Sequence, residues 1–194
     1  MKKTGILMMV VAFVSMSFVK LESNEIATYS VNVEKSTLTW TGYKPTGSHT
    51  GTVLLQSGTI EMNGKKIKSG SFIADMATIK DADGSARLEG HLKSADFFEI
   101  EVFPISKFEV TKTHHMDGKT HVTGNLTIKN VTKEITFHAD VNVVGDTVTL
   151  TSKTFKINRA EYNIKYKSQT FFNDLKGKFI NDEFDLQVTI VANK

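Results

Sequence analysis

Between Tyr29 and Ala192 apolar and polar residues alternate with a period of two, the pattern of strands that bury one face. From Ser36 to Lys44, Leu38, Trp40 and Gly42 share a face opposite Thr37, Thr39, Thr41 and Tyr43. Thr120 to Lys129 aligns Val122, Gly124, Leu126 and Ile128, and Lys133 to Val144 aligns Ile135, Phe137, Ala139, Val141 and Val143. The row Phe184, Leu186, Val188, Ile190 and Ala192 closes the chain. Further strands are predicted at Thr52 to Met62, Lys66 to Ile79, Ser106 to His115 and Thr147 to Ile157. Asn63-Gly64, Asp117-Gly118 and Gly145-Asp146 are pairs that take positive φ, as tight hairpins require. About eight antiparallel strands predict an all-β closed barrel, which leaves no edge exposed. The alternation stops between Asp81 and Pro104, where Ala86, Leu88, Leu92 and the Ala95 to Phe98 group predict one or two helical turns across one barrel end, with Ser94 capping the second.

The start of the chain follows a different rule. Lys2 and Lys3 precede the apolar run Ile6 to Val14, and Ser15-Met16-Ser17 offers small residues for cleavage. Residues 1–22 are therefore expected to be a signal peptide and 23–194 a single exported domain, periplasmic or secreted. The apolar run is too short for a bilayer span, so no stable membrane span is expected once the leader is removed. With Lys2 and Lys3 gone the net charge falls from +3 to about +1, and no basic cluster marks a nucleic-acid surface. The absence of cysteine excludes disulfides, thiol catalysis and Cys-based metal sites.

Catalytic residues are not evident. Gly47-Ser48-His49-Thr50-Gly51 has the wrong glycine spacing for a nucleophile elbow and reads as a loop between strands. A hairpin at Asp117-Gly118 sets His114 opposite His121, but no third ligand is apparent and no metal site is expected. His138 falls out of phase with the Ile135/Phe137 row and is expected to face solvent. Phe97, Phe98 and Phe103 form a core plug under a loop, the entrance to an apolar cavity, or both. Arg159 fits equally a salt bridge to a carboxylate such as Glu161 and a donor fork for a ligand head group.

Several segments, in order, resemble the YceI-like family of lipid- or polyisoprenoid-binding proteins. They are Trp40-Thr41-Gly42-Tyr43-Lys44, His49-Thr50-Gly51, His91-Leu92-Lys93-Ser94-Ala95-Asp96-Phe97-Phe98, Phe103-Pro104 with Phe108, Val122 to Lys133, and Ile157 to Tyr162. Asn130 stands where the family usually has Gly, a change that left-handed backbone geometry tolerates. The resemblance implies a lipocalin-like, eight-stranded exported barrel without catalytic activity or cofactor, in some cases a homodimer. Its implied ligand is a small apolar molecule such as a polyisoprenoid, a quinone-like tail or a fatty lipid. On that basis Trp40, Phe72, Met76, Phe97, Phe98, Phe103, Phe108, Phe155, Ile157 and Tyr162 are candidate lipid contacts. His49, His91, Asp96 and Arg159 match recurrent polar positions and are candidates for a head group. The alternative is a stress-response or protein-interaction module whose barrel interior is filled, because alternation alone does not separate a filled barrel from a hollow one.

Overall fold

The computed structural model describes residues 25–116 and 118–194, so the expected leader lies outside the described residues. Ten antiparallel strands run in chain order: β1 (Ile26–Val31), β2 (Thr37–Lys44), β3 (Gly47–Asn63), β4 (Lys66–Asp81), β5 (Ile105–Met116), β6 (Lys119–Ile128), β7 (Val131–Val144), β8 (Thr147–Ser152), β9 (Phe155–Asn158) and β10 (Glu183–Asn193). They fill eight places in a ring. β1 and β2 follow one another between β3 and β10, and β8 and β9 succeed each other along the opposite side of β10. The expected strand Thr147 to Ile157 is thus broken in two, and β1 extends the strand set beyond the sequence reading.

Two-residue turns fix the register. Val144 pairs with Thr147 around Gly145-Asp146, and Met116 pairs with Lys119, both as the sequence predicts. Asn63 instead pairs with Lys66, so the first of those turns is Gly64-Lys65 rather than Asn63-Gly64. Lys129 and Asn130 both adopt positive φ, at 48° and 58°, so Asn does supply the left-handed turn.

The Gly47 to Gly51 stretch is a correction: it is not a loop but the start of β3, paired with Trp40 through Lys44 across a turn at Pro45-Thr46. Glycine is needed at its end because a Cβ on Gly51 would collide with the Lys80 carbonyl and come within 2.6 Å of the Trp40 indole.

A single helix, α1 (Ala86–Lys93), interrupts the strands between β4 and β5. Ser85 caps its first turn by accepting from the Leu88 N–H. Ser94 closes this helix rather than opening a second, with its hydroxyl donating to the His91 carbonyl at 2.8 Å, and turns follow as far as Val102.

The two ends of the barrel differ in their connections. One end carries the tight turns after β3, β5 and β7, and there Ile60, Met62, Ile67, Val122, Val148 and Leu150 bury their side chains. The other end carries the α1 insertion and the long segment between β9 and β10, which starts with a 3₁₀ turn at Arg159–Tyr162. Contacts of Tyr166 with His91 and Phe97, at ring separations of 4.6 and 5.6 Å, join those two covers.

Candidate functional site

The covered end of the barrel is hollow. A cavity of about 600 Å³ extends from the barrel interior to an opening beside α1. Its volume lies within the roughly 300–1,000 Å³ typical of small-molecule sites. Val53 and Leu55 of β3, Phe72, Ala74 and Met76 of β4 and Leu126 of β6 form part of the wall, each from an inward position of its strand. A filled interior, the premise of the protein-interaction alternative, therefore applies to only one end of the molecule.

The strand rows and the insertion bring together most of the candidates named from sequence. Trp40, Phe72, Met76, Phe97, Phe98 and Phe108 line the cavity, as do His49, His91 and Arg159. Phe103, Phe155, Ile157, Tyr162 and Asp96 do not. Phe103 lies under the Lys129 ammonium, 5.7 Å from the ring centre. Phe155 stacks on Phe137 at 4.5 Å. Ile157 and Tyr162 are packed in the core, and burial, with Glu161 as a lesser cause, pushes the Tyr162 hydroxyl up to about 12. Asp96 is exposed and holds His91 from behind through a 3.1 Å contact between Oδ2 and Nε2.

Arg159 forms the salt bridge that its sequence context offered, though with a different carboxylate from the one named there. Its carboxylate partner is Asp182, not Glu161, at 3.3 Å. Nε and both terminal nitrogens donate to the carbonyls of Asn181, Ile164 and Ile180 at 3.0, 2.8 and 2.9 Å. Three donors are thus occupied in tying the start of the long β9–β10 connection to its end, just ahead of β10. Burial lowers its pKa and Asp182 opposes that shift. For Asp182 itself burial acts upward, but hydrogen bonds from Ser168 and Thr170 and the Arg159 charge outweigh it and hold the carboxyl below its ordinary value.

The charges around the cavity have one sign. Lys44, Arg87, Lys107, Arg159, Lys167 and Lys178 contribute to its lining, and no carboxylate does. Sequence reasoning missed all of these except Arg159, because they come from β2, α1, β5 and the β9–β10 connection and form no run. A smaller pocket lined by His49, Ser85, Arg87, Leu88, His91 and Tyr166 adjoins the opening. On the inner side of β3, His49 Nδ1 faces Asp81 Oδ1 at 3.6 Å, and Asp83 completes the one group of three potential metal ligands that converges among the described residues.

A second grouping lies on the outer wall of the filled end. His114 pairs with His121 as expected, and His121 pairs in turn with the exposed His138, with ring separations of 6.4 and 4.2 Å. The second pairing was available from the turn at Lys129-Asn130, since Ile128 opposite Val131 puts His121 opposite His138.

Residues 29–192 match the YceI-like domain family. The UPF0312 protein of Pseudomonas putida strain KT2440 is 33% identical over 89 residues, 45% of this chain and 46% of that protein. Protein YceI of Salmonella newport strain SL254 is 36% identical over 61 residues, 31% of this chain and 32% of that protein. The matched stretches thus span less than half the length of these curated relatives. Among solved structures, Burkholderia cenocepacia BcnA superposes with a TM-score of 0.69 at 21% identity, covering 84% of this chain and 99% of BcnA. A polyisoprenoid-binding domain from Saccharophagus degradans, implicated in plant cell wall breakdown, gives 0.67 at 16% identity, covering 85% and 97%. These likenesses agree with the barrel and its strand order, and the match over nearly all of the described residues settles the lineage: the chain belongs to the YceI-like domain family.

Proposed function

We propose that the protein is an exported, non-enzymatic carrier that holds the apolar tail of a lipid, isoprenoid or quinone-like, inside the barrel and an anionic head group at the mouth. The observation that carries this reading is the pairing of an apolar cavity of about 600 Å³ with a lining whose charged side chains are all cations. Each Å² of tail withdrawn from water contributes on the order of 25 cal/mol, so the tail supplies most of the affinity. The cations supply selection, because a neutral-headed lipid gains nothing from them and a cationic one is repelled. Arg87 and Lys178 suit this role best, since among the described residues neither has an ion pair with a carboxylate, whereas Lys107 and Arg159 do, Lys44 lies against His49 and Lys167 over the Tyr166 ring. The Saccharophagus degradans domain, named for polyisoprenoid binding, supports the choice of tail.

The test is organic extraction of the purified protein followed by mass spectrometry, with a fluorescent fatty acid as a displacement probe. About one equivalent of a long-chain lipid, or saturable probe binding that Arg87→Glu and Lys178→Glu weaken, is the expected result. Neither lipid nor probe binding would reject the carrier reading. Equal binding of anionic and neutral-headed probes would reject the anionic head alone.

A further inference from the structure

We propose that His49, Asp81 and Asp83 form a site for a divalent first-row metal ion of the Zn²⁺ class at the edge of the cavity mouth. The starting observation is a pair of buried atoms without partners. Asp81 is 5% exposed, and neither its Oδ1 nor His49 Nδ1 has a hydrogen-bond partner. They face each other at 3.6 Å, beyond hydrogen-bond length. Two ligands of a tetrahedral ion, each about 2.0–2.1 Å from it, stand roughly 3.3–3.4 Å apart. The observed gap is therefore within a few tenths of an ångström of a coordination edge. The ligand atoms of His49, Asp81 and Asp83 all lie within 4.8 Å of one another.

The surroundings hold these groups in place. His49 is paired with Gly42 on β2, and Asp81 with Gly51 at the end of β4. The second carboxylate oxygen of Asp81 accepts from the Ser85 N–H at 3.1 Å, which leaves Oδ1 directed at His49. The Ala82 N–H donates to Thr50 and the Gly84 N–H to the Asp81 carbonyl, fixing the turn that carries Asp83. Two carboxylates balance the charge of a divalent ion, and the imidazole favours Zn²⁺ over Ca²⁺ or Mg²⁺. Ligation through Nδ1 leaves the ring proton on Nε2, so the exposed Lys44 ammonium, now 3.4 Å from Nε2, turns to solvent. The bound ion would pin the turn between β4 and α1, and with it the helix that covers the mouth. The site stands independently of what the cavity holds.

Titration calorimetry of the purified, chelator-treated protein with Zn²⁺ tests this, with Co²⁺ as a spectroscopic probe. One equivalent is expected, with the Co²⁺ visible bands of a four-coordinate site. Asp83→Asn, at an exposed position, should weaken binding at least tenfold with an unchanged melting temperature in the absence of metal, and His49→Ala should abolish it. His121→Ala should leave it intact. Absence of saturable binding would overturn the proposal and make His49 and Asp81 an ordinary histidine–carboxylate contact. Binding that is lost in His121→Ala but survives Asp83→Asn would overturn it in favour of the outer histidine row.

Discussion

The filled and hollow ends of the barrel are built from the same strands. β3 contributes Ile60 and Met62 to the packed end and Val53 and Leu55 to the cavity wall, its inward phase switching from odd to even positions at the irregularity between Leu55 and Ser57. The difference lies in what meets at the axis. At the packed end branched and long side chains from β3, β4, β6 and β8 converge, and Ile60, Val122 and Val148 are wholly buried. At the hollow end Gly42 and Ala74 occupy wall positions, and the aromatic rings lie around the void instead of across it. One end stabilises the fold and the other gives up packing contacts to keep a space. This division explains why the long connections collect at the hollow end: an open barrel needs a cover, a filled one only turns.

The sharpest way to break the comparison is to remove equal side chains from both ends. Ile60→Ala should cost about 2–5 kcal/mol in urea unfolding, the range for a fully packed aliphatic residue. Met76→Ala, whose side chain already borders a void, should cost less than about half of that. Equal losses would mean that the cavity is not a standing feature in solution. Arg159→Ala should follow, at about 2–4 kcal/mol, because it leaves three carbonyls without donors. It should reduce probe binding only in proportion to unfolding; a specific loss of affinity in folded protein would assign Arg159 to the head-group site. Ala74→Phe should cost less than about 1.5 kcal/mol, since it fills space, yet abolish lipid co-purification. The same change at Ala139, 1% exposed in the packed end, should prevent folding.

The smallest effect concerns pH. The Asp182 carboxyl is held low in the folded state, so its contribution is present above the unfolded value of about 3.9 and fades as pH falls through the folded one. Asp182→Asn should flatten the acid limb of the urea midpoint between about pH 5 and 2.5. An unchanged slope would remove Asp182 from the tie that covers the mouth.

The inward rows on β6, β7 and β10 were legible because alternation records which face is buried, and Val122, Phe137 and Ile190 are buried as read. Turn chemistry gave the His114–His121 register through Asp117-Gly118. It failed at Gly47 to Gly51, where Gly51 serves close packing under Trp40 and not a bend, two uses that look alike in a sequence. The cavity was not legible, because alternation carries direction but no volume. The cationic rim and the His49–Asp81 approach depend on β3 meeting the end of β4, a pairing that separates neighbours by many residues. Arg159 was visible as unusual, but its partners on the segment ending at Asp182 follow from a long connection that no local rule positions.

The break between β8 and β9 has a kinetic consequence. β8 pairs with β7 from Ala139 to Val144, whereas β9 pairs only with β10, so the first half of β7 has no ladder on its far side among the described residues. There the wall is closed by side chains, chiefly the stacked rings of Phe137 and Phe155. The register with β6 turns the amides of Glu134 and Thr136 towards this gap, and they should exchange with deuterium far sooner than those of Ile135 and Phe137. The exposed charges of Lys133 and Glu134 along the same edge would keep a second molecule from adding its own strand there.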